Sequence, residues 1–212
     1  MLPFFLTILP ALVVLLYFYF SNLFLEQKKI ALQIFVLSFV IALIAGELNG
    51  FIQKNFSNNN PINNALLVGF FAGGVVEELL KFSVLYFFVL KNYKLNSVKD
   101  ALAYGATVSC GFAAIENFGY VNDLHSALVR VLLPSPMHGM NGIIMGFYIG
   151  FYSLKNNIKF LGYAILVPII FHGTYNFLVG DTLLGIAVLV VMLIFLLKLY
   201  KILVENSKSK FI

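Results

Sequence analysis

The chain has 212 residues, 61% of them apolar and only 11% charged, with a formal net charge of +5. A soluble domain carries about 25% charged residues, so a secreted soluble domain and a disordered chain are excluded. The single cysteine, Cys110, excludes a disulfide scaffold. The lysines stand scattered between apolar runs, which fits loop charges that orient a membrane protein and not a nucleic-acid surface. The composition describes one all-α, polytopic transmembrane bundle over residues 1–212, with no second domain.

Runs of 18 or more mostly apolar residues predict about seven spans. They lie at Leu2–Leu25, Ile30–Ile52, Ala65–Leu90, Asp100–Val121, Pro136–Leu154, Phe160–Val179 and Thr182–Leu203. The runs are too long for strands and do not alternate. The first lacks the basic start and small-residue cleavage site of a signal peptide and reads as a retained helix. Between the second and third runs, Ser57-Asn58-Asn59-Asn60-Pro61 predicts a turn-rich loop. Between the fourth and fifth, Leu124, Leu128 and Leu132 recur every four residues, which suits a short helix lying at the interface. Ser135-Pro136 then reads as an N-cap and first-position proline of a new helix.

Lys28, Lys29, Lys91, Lys94, Lys99, Lys155, Lys159, Lys198, Lys201, Lys208 and Lys210 fall on one side of this topology. Lys54 and Arg130 fall on the other, and Lys81 lies inside a span. The positive-inside rule places the lysine-rich side in the cytoplasm. The N-terminus is therefore expected outside and the C-terminus inside, as a multi-pass protein of a bacterial or archaeal plasma membrane.

Four ionisable residues sit within apolar runs: Glu77, Glu78 and Lys81 in the third, and Glu116 in the fourth. Each costs about 2.5–3.5 kcal/mol at the bilayer centre and marks a functional site by default. His138 and His172 also fall in spans, whereas Glu47 is near a span end and His125 in an outer loop. At about 1.5 Å per residue, Glu77 lies about 18 Å below Ala65, Glu116 about 7–8 Å below Val121 and His172 about 10 Å below Val179. Polar groups from four helices thus converge in the outer half of the membrane. Glu77 and Glu78 stand four and three residues before Lys81, so the lysine can pair with either. Glu116 has no cation within four residues on its own helix. Gly69 and Gly73, and Gly142, Gly146 and Gly150, form small-residue stripes that predict close helix packing.

Carboxylates, two histidines and Asn176 permit hydrolysis by activated water. His172 and Asn176 share a helix face and can serve an oxyanion. No serine or cysteine has an adjacent base by spacing. Glu77, His138 and His172 also make a zinc-compatible set, although the HExxH spacing is absent. The same polar residues suit two other readings, an ion- or proton-coupled transporter and a non-catalytic membrane protein. A transporter is expected to show inverted repeats and interrupted helices, and the sequence shows neither.

The motifs Glu77-Glu78-Leu79-Leu80-Lys81 (EExxK), Gly111-Phe112-Ala113-Ala114-Ile115-Glu116-Asn117, His138, and His172-Gly173-Thr174-Tyr175-Asn176 (HxxxN) occur in that order. In this order the chain resembles the PrsW family of intramembrane proteases, relatives of the CAAX prenyl proteases and Abi-type membrane proteins. The resemblance covers a core of about residues 65–179. It implies a membrane endopeptidase acting on a membrane-anchored protein within the bilayer, an anti-sigma factor for some members. It implies that Glu77 and Glu78 supply the base, that His138, His172 and Glu116 are catalytic, and that Asn176, Lys81 and Asn117 support them. The CAAX branch carries a histidine where this chain has Glu116. Family members have been classed both as metallo- and as glutamate peptidases, so zinc is compatible with the resemblance.

Overall fold

The computed structural model describes residues 2–20, 28–91, 95, 97–178 and 182–207, and among these there is no strand. The described residues form eight helices in succession: α1 (Leu2–Phe20), α2 (Lys28–Phe56), α3 (61–90), α4 (Val98–Tyr120), α5 (Leu124–Leu132), α6 (Pro134–Lys155), α7 (Lys159–Leu178) and α8 (Thr182–Ser207). Lys94, Lys208, Lys210 and Val179, and the end of the first expected span after Phe20, lie outside the described residues. Among the described residues, three helices are both long and apolar enough to cross a membrane: Lys28–Phe56, Lys159–Leu178 and Thr182–Asn206. The shorter apolar stretch Leu2–Tyr17 accompanies them.

Local chemistry sets the helix starts. The Asn60 side chain accepts from the amides of Ile62 and Asn63, with Pro61 in the first helical turn, and this opens α3. Reciprocal capping boxes open α4 through Ser97 and Asp100, and α5 through Asp123 and Ser126. Asn156, at φ 46°, closes α6 in the left-handed region that asparagine tolerates.

One expectation needs correction. The fifth long helix begins at Pro134, not Pro136, with Leu133 as its cap and no side-chain cap hydrogen bond. Pro134 already has the backbone angle of a first helical residue. Ser135 is instead drawn inward, where its Oγ donates to the Arg130 carbonyl and accepts from Asn117 Nδ2. The third apolar run is one continuous helix but not a regular α-helix. It has wide π-helical turns over Leu66–Glu77 and Val84–Leu90, flanking an α-helical segment at Glu78–Ser83. Such turns are rare and concentrate at functional sites.

The glycine stripes pack as their spacing predicts. A Cβ on Gly142 or Gly146 would collide with the carbonyl of Gly105 or Ala101 on α4, so α6 and α4 approach backbone to backbone. A Cβ on Gly69 would lie 2.8 Å from the Phe177 amide nitrogen on α7. Ile34, Leu85, Val108, Phe112, Met145 and Ile149 fill the core between α2, α3, α4 and α6. Large apolar side chains on α1 and α8, such as Phe5, Leu16, Leu183, Leu193 and Tyr200, face outward. A bilayer solvates such a surface, whereas a soluble monomer rarely exposes one so extensive.

Candidate active site

Glu77, Glu78, Lys81, Glu116, His138 and His172 come together from α3, α4, α6 and α7 as the sequence predicts. Glu78 and Lys81 have no solvent exposure, and His138 and His172 are 1% exposed. Lys81 Nζ donates to Glu78 Oε1 at 2.8 Å and to His138 Nδ1 at 2.8 Å, and lies 3.9 Å from Glu77 Oε2. It also sits 4.2 Å from the centre of the Phe112 ring. His172 Nδ1 lies 2.7 Å from the same Glu78 oxygen, and His172 Nε2 faces Glu77 Oε2 at 3.9 Å. His138 Nε2 faces Glu116 Oε2 at 2.7 Å. The two imidazoles meet edge to face, with centroids 4.8 Å apart.

These partners assign the ring protons. A carboxylate only accepts, so His172 carries its proton on Nδ1 toward Glu78 and leaves Nε2 as a lone pair. An ammonium only donates, so His138 accepts at Nδ1 and carries its proton on Nε2, toward Glu116. The two histidines therefore present opposite faces to the same space, one an acceptor and one a donor. Glu77 Oε1 is held by Asn49 Nδ2 at 3.0 Å. Its Oε2 is buried with no hydrogen-bond partner.

A cavity of about 250 Å³ opens onto this group, lined by Glu77, Glu116, His138, Asn49, Arg130 and Asn176 among others. Asn176 reaches it because Gly73 has no side chain: a Cβ there would collide with Asn176 Nδ2 and lie 3.6 Å from His172 Nε2. Asn117 is fully buried and lies beside the site, bonded to Ser135 and Arg130. Glu47 and His125 are exposed and take no part. Ser83 Oγ is spent on the Leu80 carbonyl, and Cys110 is buried.

Two participants were not singled out from the sequence. Asn49 reads as one more polar residue near the end of an apolar run, yet it is the group that orients Glu77. Arg130 reads as an outer-loop charge, yet its Nη2 lies 2.8 Å from Glu116 Oε1. Glu116, with no cation within four residues on its own helix, thus receives one from α5. An acid isolated on its own helix was the available signal that a partner would come from another element.

The sequence profile described as "PrsW family intramembrane metalloprotease" matches residues 26–200. The chain belongs to the PrsW family. It is therefore a membrane peptidase whose substrates are membrane proteins in the lipid bilayer. Proteins named Protease PrsW are similar to it over most of their length. That of Bacillus subtilis (strain 168) is 32% identical over 176 residues, 81% of this chain and 79% of the relative. That of Halalkalibacterium halodurans is 33% identical over 173 residues, 80% and 79% of the two chains. That of Shouchella clausii (strain KSM-K16) is 30% identical over 207 residues, 94% and 93%. No solved structure matches the chain.

The family description names a metal, and Glu77, His138 and His172 each offer a ligand atom within 4.8 Å of the others. Two imidazoles and a carboxylate are the donor types of a catalytic zinc site. The protons do not fit. With Lys81 donating to Nδ1, His138 Nε2 carries hydrogen and has no lone pair for a metal. The arrangement offers two free donors, Glu77 Oε2 and His172 Nε2. A third would require His138 to give up Lys81.

Proposed function

We propose that this chain hydrolyses a peptide bond of a membrane-anchored protein by water activated between Glu77 and His172. The observation that carries the proposal is the pairing of two unoccupied acceptors, Glu77 Oε2 and His172 Nε2, 3.9 Å apart beside an open cavity. A water between them can lose a proton to one while attacking a carbonyl. Glu78 then acts as an orienting acid, because its Oε1 is engaged by both Lys81 and His172 and, unlike Glu77, it does not line the cavity. This divides the adjacent acids: Glu77 is the base and Glu78 holds the ring.

The donors lie opposite. His138 Nε2–H, beside Glu116, can pass its proton to the leaving amine while Nδ1 takes one from the Lys81 ammonium, so the ring stays neutral. Asn176 Nδ2, at the cavity wall beside Gly73, is placed for the oxyanion of a tetrahedral intermediate. His172 is an acceptor in this arrangement, so the oxyanion falls to Asn176.

The charge asymmetry of the loops and the seven apolar runs support seven spans with the N-terminus outside and the C-terminus in the cytoplasm. In that orientation the cavity lies in the outer half of the membrane, and the substrate presents an extracytoplasmic segment. The resemblance brings an anti-sigma factor as the expected kind of substrate. The test is reconstitution in liposomes with a pool of single-pass model proteins whose outer juxtamembrane segments are randomised, with cleavage read by mass spectrometry. Wild type should cut a subset, while Glu77→Gln and His172→Ala should fall below detection yet remain monodisperse. Wild-type rates in Glu77→Gln would end the proposal.

A further inference from the structure

Arg130 is the only side chain described on α5 that reaches the catalytic group, and it does so with both arms of its guanidinium. Nη2 donates to Glu116 Oε1 at 2.8 Å and Nε to Asn117 Oδ1 at 2.6 Å. Its plane lies 4.3 Å from the centre of the Tyr120 ring. The support behind it is closed: Asn117 Nδ2 donates to Ser135 Oγ at 2.9 Å, and Ser135 Oγ donates to the Arg130 carbonyl at 3.0 Å. Arg130 and Glu116 are 17% and 21% exposed at their side chains, so the pair sits at the cavity mouth, partly shielded from water.

A surface staple between α5 and α4 would need only charge attraction, and such a pair contributes little. This pair has a further consequence. With Oε1 held by Arg130, the other oxygen of Glu116 lies 2.7 Å from His138 Nε2. The link continues through His138 Nδ1 to Lys81, from Lys81 to Glu78 and from Glu78 to His172, each contact at 2.7–2.8 Å. Free rotation of the Glu116 carboxylate would leave the exposed end of this chain undefined. A guanidinium fork is suited to prevent that, because it bonds two acceptors in fixed relative directions.

We infer that Arg130 is a positioning residue of the peptidase: it fixes the Glu116 carboxylate so that Glu116 holds the His138 ring in its reactive orientation. The inference rests on the proposed peptidase mechanism and adds α5, the surface helix, to the catalytic assembly. Asn117 and Ser135 are the scaffold of Arg130, not contacts of the substrate. Lysine cannot replace the arginine fully, since one ammonium on a flexible stem does not reproduce the two-acceptor fork.

The experiment compares wild type, Arg130→Ala, Arg130→Lys, Glu116→Gln and the Arg130→Ala/Glu116→Gln double variant on one reporter cut by wild type. Misplacing a catalytic group by about 1 Å costs on the order of 100-fold. Arg130→Ala is expected to lose about that much kcat with KM nearly unchanged, and Arg130→Lys to recover part of it. If Arg130 acts through Glu116, the double variant is no slower than Glu116→Gln alone. Unchanged kcat in folded Arg130→Ala, or losses that multiply in the double variant, would overturn the inference. If Arg130→Ala does not insert, Arg130→Lys decides: it keeps the charge, so full wild-type kcat refutes the fork. Glu77→Gln is assayed in the same series, so failure of the peptidase proposal appears as wild-type cleavage by that variant and is separable from failure of Arg130.

Discussion

Lys81→Met is the perturbation that most directly probes the buried ion cluster. Lys81 has no solvent exposure, and its ammonium lies 2.8 Å from Glu78 Oε1 and 3.9 Å from Glu77 Oε2. Methionine has a similar unbranched length and packs well against an aromatic ring such as Phe112, so the substitution removes charge with little change of volume. Glu78 would then be a fully buried carboxylate with only His172 as partner. Removing one member of a buried pair costs about 3–5 kcal/mol, because the other charge is left uncompensated. Adding Glu78→Gln removes that charge while its amide oxygen can still accept from His172 Nδ1. The double variant should therefore be at least about 2 kcal/mol more stable than Lys81→Met alone. Reversible unfolding in mixed micelles, titrated with a denaturing detergent, measures both. A loss below about 1 kcal/mol in Lys81→Met, or a double variant as unstable as the sum of its parts, would show that no unpaired charge is created.

Three further outcomes are expected. Gly73→Ala should lower kcat by tenfold or more with a modest loss of stability, because its Cβ displaces the mobile end of Asn176. Gly69→Ala meets the Phe177 backbone at 2.8 Å and should act mainly on thermal stability, so equal effects of the two on kcat would contradict the placement of Asn176. A reporter fused at the C-terminus should be cytoplasmic and one inserted at Asn59 external, and the reverse pair of readings would refute the orientation. The Ser126 amide and hydroxyl both donate to Asp123 at 2.7 Å and hold its carboxyl below the usual aspartate range. That support is present above about pH 3.9, the ordinary aspartate value, and is lost as pH falls through the lower folded value. Hydrogen-exchange protection of α5 should therefore hold from pH 7 to about pH 4 and decline below it, and loss already at pH 5–6 would refute this capping role.

How much of this was legible in the chain follows from which forces are local. Apolar runs of span length, capping residues such as Asn60, Ser97 and Asp123, and the glycine stripes act through neighbours a few residues away. The helices and their packing faces could therefore be read without a structure. Glu77, Glu78, Lys81, Glu116, His138 and His172 were legible for another reason. Polar groups are expensive in an apolar run, so each is a departure that needs a cause.

Sequence alone determined which polar residues stand in the apolar runs and in what order. It did not determine their roles, because Glu77 and Glu78 are adjacent and differ only in what each faces. Tertiary structure decided that Glu78 meets Lys81 and His172, while Glu77 meets Asn49 and lines the cavity. It also recruited Asn49, 28 residues from Glu77, and Arg130, 14 residues from Glu116. No periodicity relates such pairs. They meet only where separate helices pack, and there the geometry of one side chain fixes the protons and the work of the next.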